Sequence, residues 1–143
     1  DLTVTKEPYG GYLLPVGAWG PFAINERAYE GGRQVELHTA EHGESYEPGI
    51  EVGYPHDGRF WSKSVVYGPI TSDGYFIWSE STPQFLANRV YGVKLEQNGA
   101  YRVFGPLEVS GNRSFGAPPV TLSGGRFVTR HYRSVRLWKV KTE

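Results

Sequence analysis

Short runs that alternate apolar and polar residues, separated by glycine-containing turns, dominate this chain. In residues 34–39, Val35 and Leu37 face one way while Glu36 and His38 face the other, which predicts a half-buried strand with a polar outer face. In residues 75–78 both faces are apolar, which predicts a strand that is central in a sheet or lies at an interface.

The same patterning predicts about ten strands and very little helix. The predicted strands cover residues 2–7, 11–24, 34–39, 50–54, 60–67, 75–80, 86–96, 100–104, 107–109 and 127–140. Hairpins are expected at Asp57-Gly58, Asp73-Gly74 and Asn98-Gly99, because each pair offers the positive φ that tight turns need. The residues expected to be mostly buried are Val35, Leu37, Val66, Ile77, Val93, Leu95, Val103 and Leu137.

These elements predict an all-β fold, a two-sheet β-sandwich of jelly-roll type, with a closed β-barrel as the alternative. A length of 143 residues suits a single domain over residues 1–143 with its own hydrophobic core. The uncharged segment 11–24, interrupted by Pro15 and Pro21, predicts an irregular edge strand or an N-terminal arm at 1–24 that packs on a neighbouring subunit.

The charges balance overall but are unevenly distributed along the chain. Fifteen basic and fifteen acidic residues cancel, which disfavours nonspecific binding of nucleic acid or membrane surfaces. Residues 26–57 hold eight acids against Arg27 and Arg33, whereas residues 100–143 hold eight bases against Glu108 and Glu143. Either the two regions neutralise each other within the fold, or copies of the chain associate head to tail, which predicts a homo-oligomer such as a trimer.

Several classes of chemistry lack their sequence signals. The chain has no Cys, which excludes cysteine nucleophiles and leaves stability to packing rather than disulfides. No phosphate-binding loop, dinucleotide fingerprint or serine elbow occurs. Residues 36–57 offer many carboxylates, but no feature selects the pair that glycoside hydrolysis needs. No run approaches 18 apolar residues, so membrane insertion is not expected. The lack of these sequence signals disfavours an enzyme.

His38, Glu41 and His42 match the H-x-x-E-H pattern of inverted zinc peptidases. That chemistry needs a helix that places both histidines on one face, whereas here the pattern begins on a predicted strand and Gly43 follows it. We therefore expect no catalytic zinc and no cofactor. A structural divalent ion stays open, because oxygen and imidazole ligands are dense in this region: His38, Glu41, His42, Glu44, Glu47 and His56.

Aromatic residues are the richest functional clue. Tyr and Trp rings can stack on the apolar face of a sugar while their polar tips form hydrogen bonds, although most aromatic side chains in such a domain must serve as core. The predicted ligand-binding residues lie in two stretches, around 46–61 and in the long loop 110–125. They are Tyr46, Tyr54, His56, Asp57, Arg59, Trp61, Asn112, Arg113 and Phe115.

The sequence thus predicts a non-catalytic, lectin-like domain that recognises a surface glycan or a cell-surface receptor. The expected settings are the receptor-binding head of a phage or viral protein, or a module of a secreted protein, at the virion surface or outside the cell. The first alternative is a structural or assembly subunit, such as a virion tail or decoration protein. The second is a small metal-dependent or glycoside-cleaving enzyme.

Overall fold

The computed structural model of the chain describes residues 2–4, 13–29, 32–39, 49–53, 65–81, 88–109, 119–131 and 134–141. These residues form eleven β-strands. The strands are β1 (Leu13–Trp19), β2 (Phe22–Tyr29), β3 (Gly32–His38), β4 (Ile50–Val52), β5 (Val65–Tyr67), β6 (Tyr75–Ser81), β7 (Asn88–Leu95), β8 (Tyr101–Val109), β9 (Val120–Leu122), β10 (Arg126–His131) and β11 (Ser134–Lys139). A 3₁₀ turn at Ser123–Gly125 joins β9 to β10. The prediction of an all-β fold is confirmed.

The strands form three antiparallel sheets. Sheet A has the order β1-β2-β3-β4, sheet B the order β5-β6-β7-β8, and sheet C the order β11-β10-β9. Neighbours within each sheet are also neighbours in the sequence, as expected for antiparallel strands joined by hairpins. The fold is sandwich-like but has three sheets rather than the predicted two, and the described strands do not close into a barrel.

Sheet B is the middle layer of the molecule. On β6, Phe76 and Trp78 pack toward sheet A, whereas Ile77 packs toward sheet C. The core between sheets A and B contains Phe22, Ile24, Val35, Leu37, Val52, Phe76, Trp78, Tyr91, Val93 and Leu95. The core between sheets B and C contains Ile77, Val90 and Phe127, with half-buried Phe104, Leu107, Trp138 and Val140 against it. The prediction that residues 75–78 form a central strand is therefore confirmed.

The turn before β6 connects all three layers. Lys94 on β7 donates a hydrogen bond from Nζ to the Asp73 carbonyl (2.5 Å), and its ammonium lies 5.7 Å from the Trp19 ring centroid of sheet A and 5.1 Å from that of Tyr75. The Asp73 carboxylate accepts a hydrogen bond from the Gly124 N–H of sheet C (2.7 Å). These contacts fix both outer sheets to the same end of sheet B.

The predicted turns have different outcomes. Asn98-Gly99 closes the β7–β8 hairpin, with Gly99 at φ +91° and the Glu96 N–H donating to the Ala100 carbonyl (2.9 Å), so that hairpin is confirmed. Asp73-Gly74 lies at the end of the longer connection from β5 to β6, where Gly74 has φ +89°. The predicted positive φ is therefore present, but the two residues do not by themselves form a tight hairpin. Asp57-Gly58 lies outside the described residues.

Several strand predictions are corrected by the structure. The predicted strand 11–24 is divided between β1 and β2, and the two predicted strands 100–104 and 107–109 form the single strand β8. Residues 127–140 form the antiparallel pair β10–β11 instead of one long strand. Strand β9 lies within the segment predicted as a long loop, where it pairs with β10. Residues 2–4 of the predicted first strand have no strand structure, and Leu2 and Val4 are fully exposed.

The core prediction is correct for most side chains that face the interior between two sheets. Val35, Leu37, Ile77, Val93 and Leu95 are all buried, and Val66 is half-buried.

Val103 and Leu137 are exposed, so their predicted burial is wrong. Val103 lies on β8, the edge strand of sheet B. Leu137 pairs with Val128 on the outer face of sheet C, where the described residues include no further sheet.

The uncharged segment 11–24 contributes to sheet A of its own chain. Residues 13–19 form β1 at the edge of the sheet, with a register irregularity between Pro15 and Gly17, and Gly20 turns the chain at φ +53°. Phe22 and Ile24 on β2 are buried in the core between sheets A and B. Burial of these two side chains therefore does not require a neighbouring subunit.

Candidate functional site

The predicted ligand-binding residues all lie outside the part of the chain that the structure describes. They are Tyr46, Tyr54, His56, Asp57, Arg59, Trp61, Asn112, Arg113 and Phe115. Glu41, His42, Glu44 and Glu47 of the suggested ion site also lie there.

His38 is the last residue of β3 and lies on a strand, as predicted. Its Nε2 is 2.9 Å from Glu36 Oε2, and its side chain is buried. Within the described ranges, no group of three or more His, Cys, Asp or Glu side chains is placed to hold a metal ion. The same ranges contain no helix of the length and hydropathy needed to cross a membrane.

The face of β3 that was predicted to be solvent-exposed is buried. Glu36 has no exposed surface, and it accepts hydrogen bonds from Arg27 Nε (2.5 Å), Arg27 Nη2 (3.2 Å) and the Gly49 N–H (3.1 Å). On the same face, Gln34 Nε2 donates to the Val52 carbonyl (2.6 Å). Alternation placed these side chains on one face correctly, but alternation carries no information about what covers a polar face.

The partners of Glu36 determine its ionisation. Burial alone would raise the pKa of Glu36, but the hydrogen bonds from Arg27, Gly49 and His38 outweigh this effect, so its pKa lies below the ordinary value. A carboxylate with this many donors is held ionised and enclosed. Such a group is not accessible to a ligand, because it has no exposed surface.

The pKa of Glu26 is shifted in the opposite direction from that of Glu36. Desolvation by burial raises its pKa above the ordinary value, and Arg33, whose Nε lies 3.5 Å from Glu26 Oε1, offsets this only in part. The folded state therefore binds this proton more tightly than the unfolded chain does. The resulting stabilisation is complete below the ordinary glutamate pKa and is lost as the pH rises through the folded-state pKa.

We accordingly expect Glu26→Gln to stabilise the protein slightly at neutral pH, by at most about 1 kcal/mol. The gain should shrink as the pH falls and disappear well below the ordinary glutamate pKa, where the wild-type side chain is protonated in both states. Urea unfolding at several pH values measures this, with Glu51→Gln, at an exposed position of β4, as the control. A Glu26→Gln variant that is less stable than wild type at neutral pH would contradict the expected sign.

A cleft of about 340 Å³ lies between sheets B and C. Its volume falls at the lower end of the range for small-ligand sites. The cleft is lined by Val90, Phe104, Gly105, Pro106, Leu107, Phe127, Trp138, Lys139, Val140 and Lys141. Strands β7 and β8 form one wall, and β10, β11 and the residues after β11 form the other.

Two glycines shape the wall made by sheet B. Gly92 lies opposite Phe104, and a Cβ at this position would overlap the Phe104 ring. Gly105 has φ +106°, which favours glycine, and a Cβ there would approach the Val90 carbonyl oxygen to 2.7 Å. The register shifts here, so Phe104 and Leu107 both face the cleft although they are three residues apart.

The wall made by sheet C presents a fixed aromatic pair. Phe127 and Trp138 face each other across β10 and β11, with ring centroids 6.3 Å apart and an interplanar angle of 17°. Trp138 Nε1 donates a hydrogen bond to Thr129 Oγ1 (2.8 Å), and Trp138 is only half-buried. The indole is thus oriented before any ligand arrives, while part of its surface stays accessible in the cleft.

The charge at the cleft is positive. Lys139 and Lys141 are exposed lining residues, and exposed Arg102 lies on the same face of β8 as Phe104, two positions earlier. The lining residues include no Asp, Glu or His among the described part of the chain. The cleft can therefore offer stacking faces and cations to a ligand.

Comparison with known protein families, curated proteins and solved structures finds no match for this chain. The functional assignment therefore rests on the geometry of the site.

The sequence patterns did not predict this cleft. Interpreting residues 127–140 as one strand places Phe127 and Trp138 far apart, whereas the β10–β11 pairing places them side by side. A hairpin centred on residues 132–133 would have revealed the pair. Tyr132 and Arg133 carry no turn signal of the Asn-Gly kind, so the fold-back was not apparent.

Proposed function

We propose that this chain is a non-catalytic recognition domain that binds a surface glycan in the cleft between sheets B and C. The observation that carries this proposal is the preformed aromatic lining of Phe104, Phe127 and Trp138. The C–H face of a pyranose ring can stack on an aromatic side chain, and an indole already held by Thr129 loses little conformational freedom on binding.

The lining favours binding over catalysis. Glycoside cleavage uses two carboxyl groups on either side of the scissile bond, and the described lining residues carry none. Lys139 and Lys141 can instead attract a negatively charged group on the ligand. We therefore expect saccharides that carry a carboxylate to bind more tightly than neutral ones, and added salt to weaken this preference.

Recognition of a surface glycan agrees with the location predicted from the sequence. It suits a protein at the virion surface or outside the cell, such as a receptor-binding head or a module of a secreted protein.

The jelly-roll connection of the strands stays a prediction from the sequence. Glycan binding in the cleft does not depend on it, because the cleft needs only the packing of sheet C on sheet B.

We expect Trp138→Ala to weaken glycan binding by roughly tenfold or more, because it removes the largest stacking surface of the cleft. A glycan array identifies the ligand, and titration calorimetry then measures the affinity. Trp138 also packs in the core between sheets B and C, so its truncation lowers stability as well.

Lys141→Glu tests the same site at an exposed position and should reduce binding of acidic saccharides without changing the unfolding midpoint.

Tyr101→Ala is the matched control, because Tyr101 is an exposed aromatic residue of β8 that does not line the cleft. It should bind like wild type. Tyr54→Ala and Trp61→Ala test the loops predicted from the sequence. If these two variants lose binding while Trp138→Ala and Lys141→Glu bind normally, the ligand site lies outside the cleft. If no saccharide on the array binds the wild-type protein, glycan recognition is wrong.

A further inference from the structure

Gly92 on β7 is a glycine that its backbone conformation does not require. Its φ lies outside the left-handed region that favours glycine, so an alanine could adopt the same backbone. A glycine inside a strand weakens that strand, because it has no side chain to pack. The distinguishing feature of this position is instead the group that occupies the space above its Cα atom.

The tip of the Phe104 ring occupies that space. Gly92 and Phe104 are direct partners in the β7–β8 register, and a Cβ at position 92 would overlap Cζ and Cε2 of the ring and lie 2.9 Å from Cε1. Carbon atoms pack best at about 3.5–4.0 Å from each other. A methyl group at position 92 would therefore displace the tip of the ring by roughly 1 Å or more.

Strand β7 cannot move away from the ring, because its other face is packed in the core between sheets A and B. Tyr91 is buried and stacks on Trp78 with ring centroids 6.0 Å apart, and Val93 has no exposed surface. These neighbours fix the backbone on both sides of Gly92. The group that would have to move is therefore the Phe104 side chain.

Buried side chains also limit where the Phe104 ring can go. Ile77 on β6 pairs with Gly92, and Val90 lies two positions before Gly92 on the same face of β7. Both are buried in the core between sheets B and C. The ring is left with two directions, up into the cleft or outward past the edge strand β8. The first movement fills the cleft, and the second removes one of its aromatic surfaces.

We propose that Gly92 is a positioning residue of the cleft, which holds the Phe104 ring low on sheet B so that a sugar ring fits above it. Gly92 is buried and is not among the residues that line the cleft, so it acts through Phe104. This role depends on the proposed glycan recognition and specifies how the cleft admits its ligand. Because a cleft of about 340 Å³ is near the lower limit for small-ligand sites, a small displacement of one wall decides whether a sugar ring enters.

Gly92→Ala should weaken binding of the tightest-binding acidic saccharide of a glycan array by roughly tenfold or more, as measured by titration calorimetry. Phe104→Leu removes the ring atoms that approach position 92, and it should also weaken binding because a stacking surface is lost. In the Phe104→Leu background, Gly92→Ala should cause little further loss. Independent effects of the two substitutions would instead add.

Urea unfolding without saccharide tests the same geometry separately. Gly92→Ala should lower the unfolding midpoint in the wild-type background, because the added methyl group overpacks the site. In the Phe104→Leu background the same substitution should leave the midpoint unchanged or raise it, since alanine restricts the unfolded chain more than glycine does.

Gly68→Ala is the matched control. Gly68 has room for a methyl group, because the nearest atom to an added Cβ is the Pro119 carbonyl oxygen at 3.5 Å, an ordinary contact. Gly68 does not line the cleft. The control should bind saccharide like wild type and should not lower the unfolding midpoint.

The two measurements separate the role of Gly92 from glycan recognition itself. Equal losses from Gly92→Ala with and without the Phe104 ring would overturn the role of Gly92, and so would wild-type affinity in Gly92→Ala. If Gly92→Ala alone does not fold, folding of its combination with Phe104→Leu supports the role, and failure of both contradicts it. If no saccharide binds the wild-type chain, glycan recognition is wrong, and urea unfolding still decides whether Gly92 positions the ring.

Discussion

Replacing Glu36 with glutamine is expected to destabilise the protein by roughly 3 kcal/mol at neutral pH. The substitution removes the charge from a fully buried group that accepts hydrogen bonds from Arg27 and the Gly49 N–H and lies 2.9 Å from His38 Nε2. An amide also replaces one acceptor oxygen by a donor, which then faces another donor. Urea unfolding followed by circular dichroism measures the loss.

The effect should depend on pH in a defined direction. The folded-state pKa of Glu36 is lowered, so its contribution is complete above the ordinary glutamate pKa and is lost as the pH falls through the folded-state value. The difference between wild type and Glu36→Gln should therefore be greatest at neutral pH and shrink in acid. Glu26→Gln shows the reverse sign at neutral pH, which distinguishes the two buried carboxylates within one fold.

Glu51→Gln is the matched control, because Glu51 lies directly opposite Glu36 on β4 and is exposed. It should change stability by less than about 0.5 kcal/mol. A double-mutant cycle with Arg27→Met and Glu36→Leu should show coupling, with the double variant more stable than the sum of the single losses implies. Additive losses would show that the ion pair is not the source of the stability.

Truncating Trp78 to alanine is expected to cost roughly 3–5 kcal/mol. Trp78 has no exposed surface and lies between Phe76 and Tyr91, with ring centroids at 5.3 and 6.0 Å and interplanar angles of 24° and 20°. Its Nε1 donates a hydrogen bond to Glu80 Oε1 (2.9 Å), which is also buried. The substitution therefore opens a cavity in the main core and removes one donor from a buried carboxylate.

Trp78→Phe separates these two contributions. It keeps an aromatic ring but removes the N–H donor, so we expect a loss of about 1–3 kcal/mol. Trp138→Ala is the control, since Trp138 is half-buried in the smaller core and its loss should be the lesser one. Equal stability losses at positions 78 and 138 would contradict the view that the core between sheets A and B dominates the fold.

The residues of the candidate site could not be predicted from the sequence. The aromatic residues proposed from the sequence were chosen because they lie near turn signals, and all of them fall outside the described residues. The cleft uses Phe104, Phe127 and Trp138, which lie within strands. They meet through a shifted register in β7–β8 and through the folding back of β10–β11, and the alternation of apolar and polar residues indicates neither feature.

The amino-acid sequence by itself determined the all-β class, the central position of residues 75–78 and the hairpin at Asn98-Gly99. These depend on local physics, namely the period of two along a strand and the positive φ that Gly99 adopts. The tertiary structure alone decided that there are three layers, that Glu36 and His38 are enclosed, and that Leu137 faces outward. The reason is physical: alternation defines two faces of a strand, but whether a second sheet covers each face depends on residues far away in the chain.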